Sequence, residues 1–228
     1  MDQSTLTNIL LTIPVLLFAL VAHEWAHAFA ALKQGDPTAL DAGRLTFNPI
    51  KHIDPWMTII IPGLMLYASH GTAAFGGAKP CPVNPANFKS YKRSDIIVSL
   101  AGVTMNMLIA LISTLLFLCA GLIGQALPAS VGVMSIVQQM MGQSVWMNVI
   151  LVFFNLLPFP PLDGSHVVKH FLPPVLAVPY ARFARFGLVI LMLVCFYAGN
   201  VINVLLTPAI FVSRILMHPV LPFALASL

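Results

Sequence analysis

Residues 6–32 read LTNILLTIPVLLFALVAHEWAHAFAAL. The run is long enough to cross a bilayer, which takes about 20 apolar residues, and it carries His23-Glu24-Trp25-Ala26-His27 inside it. Residues four apart share one face of a helix. Both imidazoles can therefore grip one zinc ion, with Glu24 beside the metal as a general base. H-E-x-x-H alone is short, and chance matches are common in soluble helices. In an apolar span the balance shifts, because ionisable groups there are costly and mark function.

The whole chain shares this character. Of its 228 residues, 59% are hydrophobic and 8% are charged, and the mean hydropathy is +0.92. A soluble domain carries about 25% charged residues. The expectation is an integral, multi-pass membrane protein in which residues 1–228 form one membrane-embedded domain in contact with the lipid bilayer, with no separate soluble domain. A net charge of +4 is too small to argue for nucleic acid. Cys81, Cys119 and Cys195 are odd in number and have no C-x-x-C neighbour, so they read as packing residues and imply no disulfide framework. The N-terminus has no basic segment, Asp2 being its only charge, and reads as a retained spanning helix rather than a cleaved signal.

Four runs are long enough to span: residues 5–32, 95–123, 133–157 and 186–212. A fifth, 56–69, is shorter and is interrupted by Pro62-Gly63. It leads into a Gly- and Pro-rich stretch at 75–84 that is not expected to be helical. If 56–69 crosses, the basic residues divide four against seven. If it enters and returns, Lys33, Arg44, Lys51, Lys79, Lys89, Lys92, Arg93, Lys169, Arg182 and Arg185 all fall on one side and only Arg214 on the other. The second arrangement is a clean positive-inside pattern, and non-helical backbone is tolerated at membrane depth where protein buries it. The predicted fold is all-α and polytopic, with about four transmembrane helices and a re-entrant hairpin or extended segment near residues 56–84.

The same topology brings the end of the third span, Asn155-Leu-Leu-Pro-Phe-Pro-Pro-Leu-Asp163-Gly164, to the depth of the two histidines. In isolation Asp163-Gly164 is an ordinary turn. Beside H-E-x-x-H on the same side of the membrane, Asp163 becomes the third zinc ligand, leaving the fourth position to water. Asn155 reads equally as a helix-packing amide or as a donor to an oxyanion. Gly102 and Asn106, four apart, favour close helix contact. His166 and His170 read as a solvated helix face in preference to a second metal site. Pro14 bends the first helix, and His52, His70 and His218 receive no role.

Taken together, His23-Glu24-x-x-His27, Ala101-Gly102-x-x-x-Asn106 and Asn155-x-x-Pro158 leading to Leu162-Asp163-Gly164 resemble the site-2 protease family of intramembrane zinc metalloproteases. The resemblance runs from about residue 6 to residue 169. It implies one Zn2+ per chain held by His23, His27 and Asp163, with Glu24 as catalytic base and Asn155 near the oxyanion. It implies a cytosol-proximal active site within the membrane, which suits a prokaryotic plasma membrane. Residues 75–84 look like the family's Gly-containing re-entrant segment, with Gly76 and Gly77 facing an extended substrate that pairs by strand addition. The expected partners are a transmembrane protein or peptide substrate and the bilayer. The chain has no room for the PDZ domain of many relatives and no spanning helix before the H-E-x-x-H helix, so it reads as a minimal form. Its natural substrate and oligomeric state are left open by the sequence. The expected activity is zinc-dependent cleavage in or near transmembrane segments, as in regulated intramembrane proteolysis or signal-peptide remnant clearance. The rivals are a catalytically inactive relative that binds membrane helices and a transporter using the same polar groups.

Overall fold

Helix α1 (Gln3–Lys33) takes up the first apolar run whole, with Pro14 inside it. Its end is written in the sequence: Lys33 occupies the last turn, and Gly35 adopts φ +105°, a conformation that ends helices and suits glycine alone. The computed structural model describes residues 3–61, 64, 67 and 77–225. A one-turn helix α2 (Thr38–Asp41) follows, then a tight 3-10 turn at Pro49–His52 and a wider π-helical turn at Pro55–Ile60. The chain continues through α3 (Tyr91–Ala126), α4 (Val131–Asn155), α5 (Asp163–Val168), α6 (Pro174–Tyr197), α7 (Gly199–Leu205) and α8 (Thr207–Met217).

Three described helical stretches are long and apolar enough to cross a membrane: Leu10–Lys33, Tyr91–Ala126 and Pro128–Asn155. They coincide with the first three runs of the sequence. The fourth run, 186–212, is divided among α6, α7 and α8. The breaks fall at Ala198 (φ −122°, ψ 41°) and Leu206, and Pro208 next to the second break has no N–H to carry a continuous helix across it.

The proposed return of the hairpin falls largely outside the described residues, Gly76 with it. Its flanks are described and stand side by side. Thr58 Oγ1 donates to the Gly77 carbonyl at 2.7 Å, and the Lys79 N–H donates to the His52 carbonyl at 2.8 Å. The buried Arg44 guanidinium joins the same two strands of chain, donating to the carbonyls of Lys51, Lys79 and Pro80.

Backbone contacts group the chain into two compact units. The first comprises Met1–Ala19, Asn106–Phe153 and Thr207–Leu228. Here α3 and α4 run antiparallel and are tied by buried polar pairs. Asn106 Nδ2 donates to Asn148 Oδ1 at 2.8 Å, the Ser113 and Ser144 hydroxyls bond at 2.8 Å, and Gln138 donates to the Phe117 carbonyl at 3.0 Å. Between helices as apolar as lipid, such pairs fix register where hydrophobicity cannot. Ala110, Val145, Val149 and Ala209 form the core beside them. The second unit, Leu20–Met105 and Phe154–Leu206, contains every residue of the candidate site.

Candidate metal centre

His23 and His27 project from the same face of α1, and both are buried. Their Nε2 atoms stand 3.0 Å apart, with the rings edge to face at 80°. Asp163 Oδ2 lies 3.2 Å from the first and 3.4 Å from the second. Among the described residues, these three form a group of His, Cys, Asp or Glu side chains whose ligand atoms gather closely enough to hold one metal ion. Asp163 is the first residue of α5. Pro158, Pro160 and Pro161 stop α4 from continuing past it, so the carboxylate turns back toward α1.

The donor set fits zinc on two counts. Ligands about 2.0–2.1 Å from a tetrahedral zinc stand roughly 3.3 Å apart, close to the three separations found. Asp163 Oδ2 is also buried without a hydrogen-bond partner of acceptable geometry, a costly state for a carboxylate oxygen that a cation relieves. The tautomer of His27 is fixed as well. Its Nδ1 lies 2.7 Å from the Val98 carbonyl. A carbonyl only accepts, so Nδ1 carries the proton and a neutral ring leaves Nε2 bare for coordination. Gly102 leaves the space these rings need: a Cβ there would stand 2.5 Å from His23 Cε1 and from His27 Nε2.

A cavity of about 370 Å³ opens on the trio and is lined in addition by Glu24, Asn155, Val98, Ser99, Asp95, His166 and the wall Pro80, Cys81 and Val83. Glu24 Oε2 accepts a hydrogen bond from the Cys81 N–H at 2.8 Å, which orients the carboxylate within the cavity. Gly77 lies upstream of this wall, with open space where a Cβ would stand.

The structure corrects the reading of a solvated face for His170, while His166 is exposed as that reading expects. The His170 side chain is buried against Asp95, with Nε2 donating to Oδ2 at 2.7 Å. Lys169 Nζ reaches the same oxygen at 2.8 Å, and His166, half exposed, stands 3.5 Å from the other. Asp95 lies on a helix 71 to 75 residues away in sequence, which no local spacing could reveal. The same holds for the Cys81 N–H, since a backbone donor carries no residue signature. Gly102 was legible as a point of close approach, but its neighbours were not.

The chain is 35% identical over 177 residues to "Putative zinc metalloprotease YwhC" of Bacillus subtilis (strain 168), covering 78% of this chain and 76% of that protein. The profile of peptidase family M50 matches residues 120–198, which include Asn155 and Asp163. The chain belongs to peptidase family M50. The chain is also similar to "Putative zinc metalloprotease Rip2" of Mycolicibacterium smegmatis, 30% identical over 194 residues, with 85% of this chain and 66% of that protein covered. Rip2 of Mycobacterium tuberculosis (strain H37Rv) is 30% identical over 180 residues, covering 77% of this chain and 62% of that one. The chain therefore spans about two-thirds of the Rip2 proteins. No solved structure matches it. Membership of M50, together with three apolar helices, makes this a membrane protein of a zinc metalloprotease family.

Proposed function

We propose that this M50 protein is a zinc-dependent intramembrane endopeptidase that cuts peptide bonds in or near transmembrane segments of other membrane proteins. The observation that carries the reading is the convergence of His23 Nε2, His27 Nε2 and Asp163 Oδ2 on a cavity that also holds Glu24 and Asn155. His23, His27 and Asp163 hold one zinc ion. A zinc ion so held supplies Lewis-acid chemistry, lowering the pKa of water toward neutrality and polarising a carbonyl. Glu24 takes the attacking water's proton on its carboxylate and returns it to the leaving amine. The Asn155 amide donates to the oxygen that becomes negative on attack. The wall of Pro80, Cys81 and Val83 closes one side of the cavity and limits water around the reacting bond.

A substrate helix hides its peptide bonds, so the scissile stretch unwinds before attack. Gly77, open on its Cα side, gives an extended segment close approach to the backbone before the wall. The adjacency of Thr58 with Gly77 and of His52 with Lys79 supports a segment that enters the membrane and returns. That topology puts ten of the eleven basic residues on one side, and the positive-inside rule then sets the active site toward the cytoplasm of a prokaryotic plasma membrane.

The test is co-expression of wild type and Glu24→Gln with a panel of single-span membrane proteins. Products are expected from wild type alone, with zinc retained by both proteins. Cleavage by purified Glu24→Gln would remove the glutamate from its role as base.

A further inference from the structure

Asp163 opens a helix that does little to hold itself in place. Helix α5 has six residues and no side-chain cap at its N-terminus, and helices this short do not persist without tertiary support. Its near end is set by Gly164, whose Cβ, if present, would stand 2.2 Å from the Leu156 carbonyl oxygen. Its far end is gripped by the first turns of α3. The buried Asp95 carboxylate receives Lys169 Nζ at 2.8 Å and His170 Nε2 at 2.7 Å, with His166 Nδ1 3.5 Å from its other oxygen. Lys92 Nζ donates to the His170 carbonyl at 3.0 Å, and the Tyr91 ring packs edge-on against the His170 ring.

The gripping residue belongs to a stripe along α3. Asp95, Val98 and Gly102 are spaced i, i+3 and i+7, and so share one helix face. Val98 orients His27, and Gly102 backs both imidazoles. One face of α3 thus addresses the two histidines directly and the aspartate through α5. An ammonium bound to the same carboxylate oxygen as His170 argues against a second metal site here and for an anchor.

We propose that Asp95 is the positioning residue for Asp163: by holding His166, Lys169 and His170 it fixes α5, and with it the carboxylate that completes the metal-binding trio. The proposal rests on the metal-site reading above. Neutralising the buried Asp95 carboxylate removes the acceptor and counter-charge on which Lys169 and the two histidines gather, so α5 loses its tether. Groups that orient metal ligands from the outer shell typically change metal affinity 10- to 100-fold.

The experiment uses full-length protein in detergent, stripped of metal and titrated with zinc against a chromophoric chelator. The proteins are wild type, Asp95→Asn, Asp95→Glu and Asp36→Asn. Asp36 is a buried carboxylate of the same unit that bonds Thr38, Asn84 and Asn87, and so controls for general loss of stability. Asp95→Asn is expected to raise the zinc dissociation constant about 10- to 100-fold. Asp95→Glu should recover most of the loss, and Asp36→Asn should leave the constant unchanged. In parallel, spin labels at Val167 on α5 and Ala30 on α1, in a cysteine-free background without zinc, should give a broader distance distribution in Asp95→Asn. An unchanged zinc affinity in Asp95→Asn, or an unchanged distance distribution, overturns the proposal. If wild type binds no zinc, the metal-site reading fails, and the label distances alone decide whether Asp95 holds α5.

Discussion

Gly102→Ala places one methyl group between α3 and the two imidazoles. The new Cβ would stand 2.5 Å from His23 Cε1 and His27 Nε2 and 2.6 Å from His23 Nε2. Favourable contacts between heavy atoms begin near 3.5 Å, so the rings or the helix must retreat by about 1 Å. Neither can do so freely. The His27 ring is bonded through Nδ1 to the Val98 carbonyl on α3 itself, and a retreat of α3 carries Asp95 with it. Metal sites hold their ligand distances to about 0.2 Å, well inside the forced displacement. We expect zinc affinity to fall about 100-fold, roughly 2.8 kcal/mol at 1.4 kcal/mol per factor of ten. The assay is chelator competition on purified protein, with circular dichroism to show that helix content is kept. Gly142→Ala is the matched control, because among the described residues its Cβ would meet only Phe117 at 3.9 Å, an ordinary contact. Zinc affinity in Gly102→Ala equal to wild type would refute the argument that this glycine makes room for the ligand geometry.

Asn155→Ala should lower turnover by about two orders of magnitude if the amide donates to the oxyanion, with zinc content unchanged; a normal rate would return it to helix packing. Asn148→Ala removes the Asn106–Asn148 hydrogen bond at the α3–α4 seam and should cost about 1 kcal/mol of unfolding free energy, read by denaturation in mixed micelles; no loss would mean that the pair contributes nothing to stability. Burial pushes the Asp36 carboxyl up, but hydrogen bonds from Thr38, Asn87 and the Asn84 N–H outweigh it and hold the group below its ordinary value. The unfolded chain therefore binds this proton first. The stabilisation is complete above about pH 4 and is lost as pH falls through the lower folded value. The Tm difference between wild type and Asp36→Asn should shrink on acidification below that point; a constant difference would remove Asp36 from the acid limb.

The sequence carried the elements whose logic is local. Three long helices were legible from apolar length, and the histidine pair from its four-residue spacing. Asp163 could be reached only through topology, by asking which arrangement put the basic residues on one side. What escaped depended on contacts between distant segments. The pairing of Asp95 with His166, Lys169 and His170 joins two helix ends that no periodicity relates. The Cys81 N–H that orients Glu24 comes from backbone, which looks the same in every sequence. The apolar run 186–212 read as one span because hydropathy does not register the turns at Ala198 and Leu206, although Pro208 marks the second of them.

X-ray absorption at the zinc edge of the purified protein tests the central claim most directly. One zinc per chain is expected, with two imidazole nitrogens at about 2.0–2.1 Å and oxygen completing the shell, and a changed oxygen shell in Asp163→Ala. A protein that binds no zinc, or a shell lacking paired imidazoles or unaltered by Asp163→Ala, would contradict it.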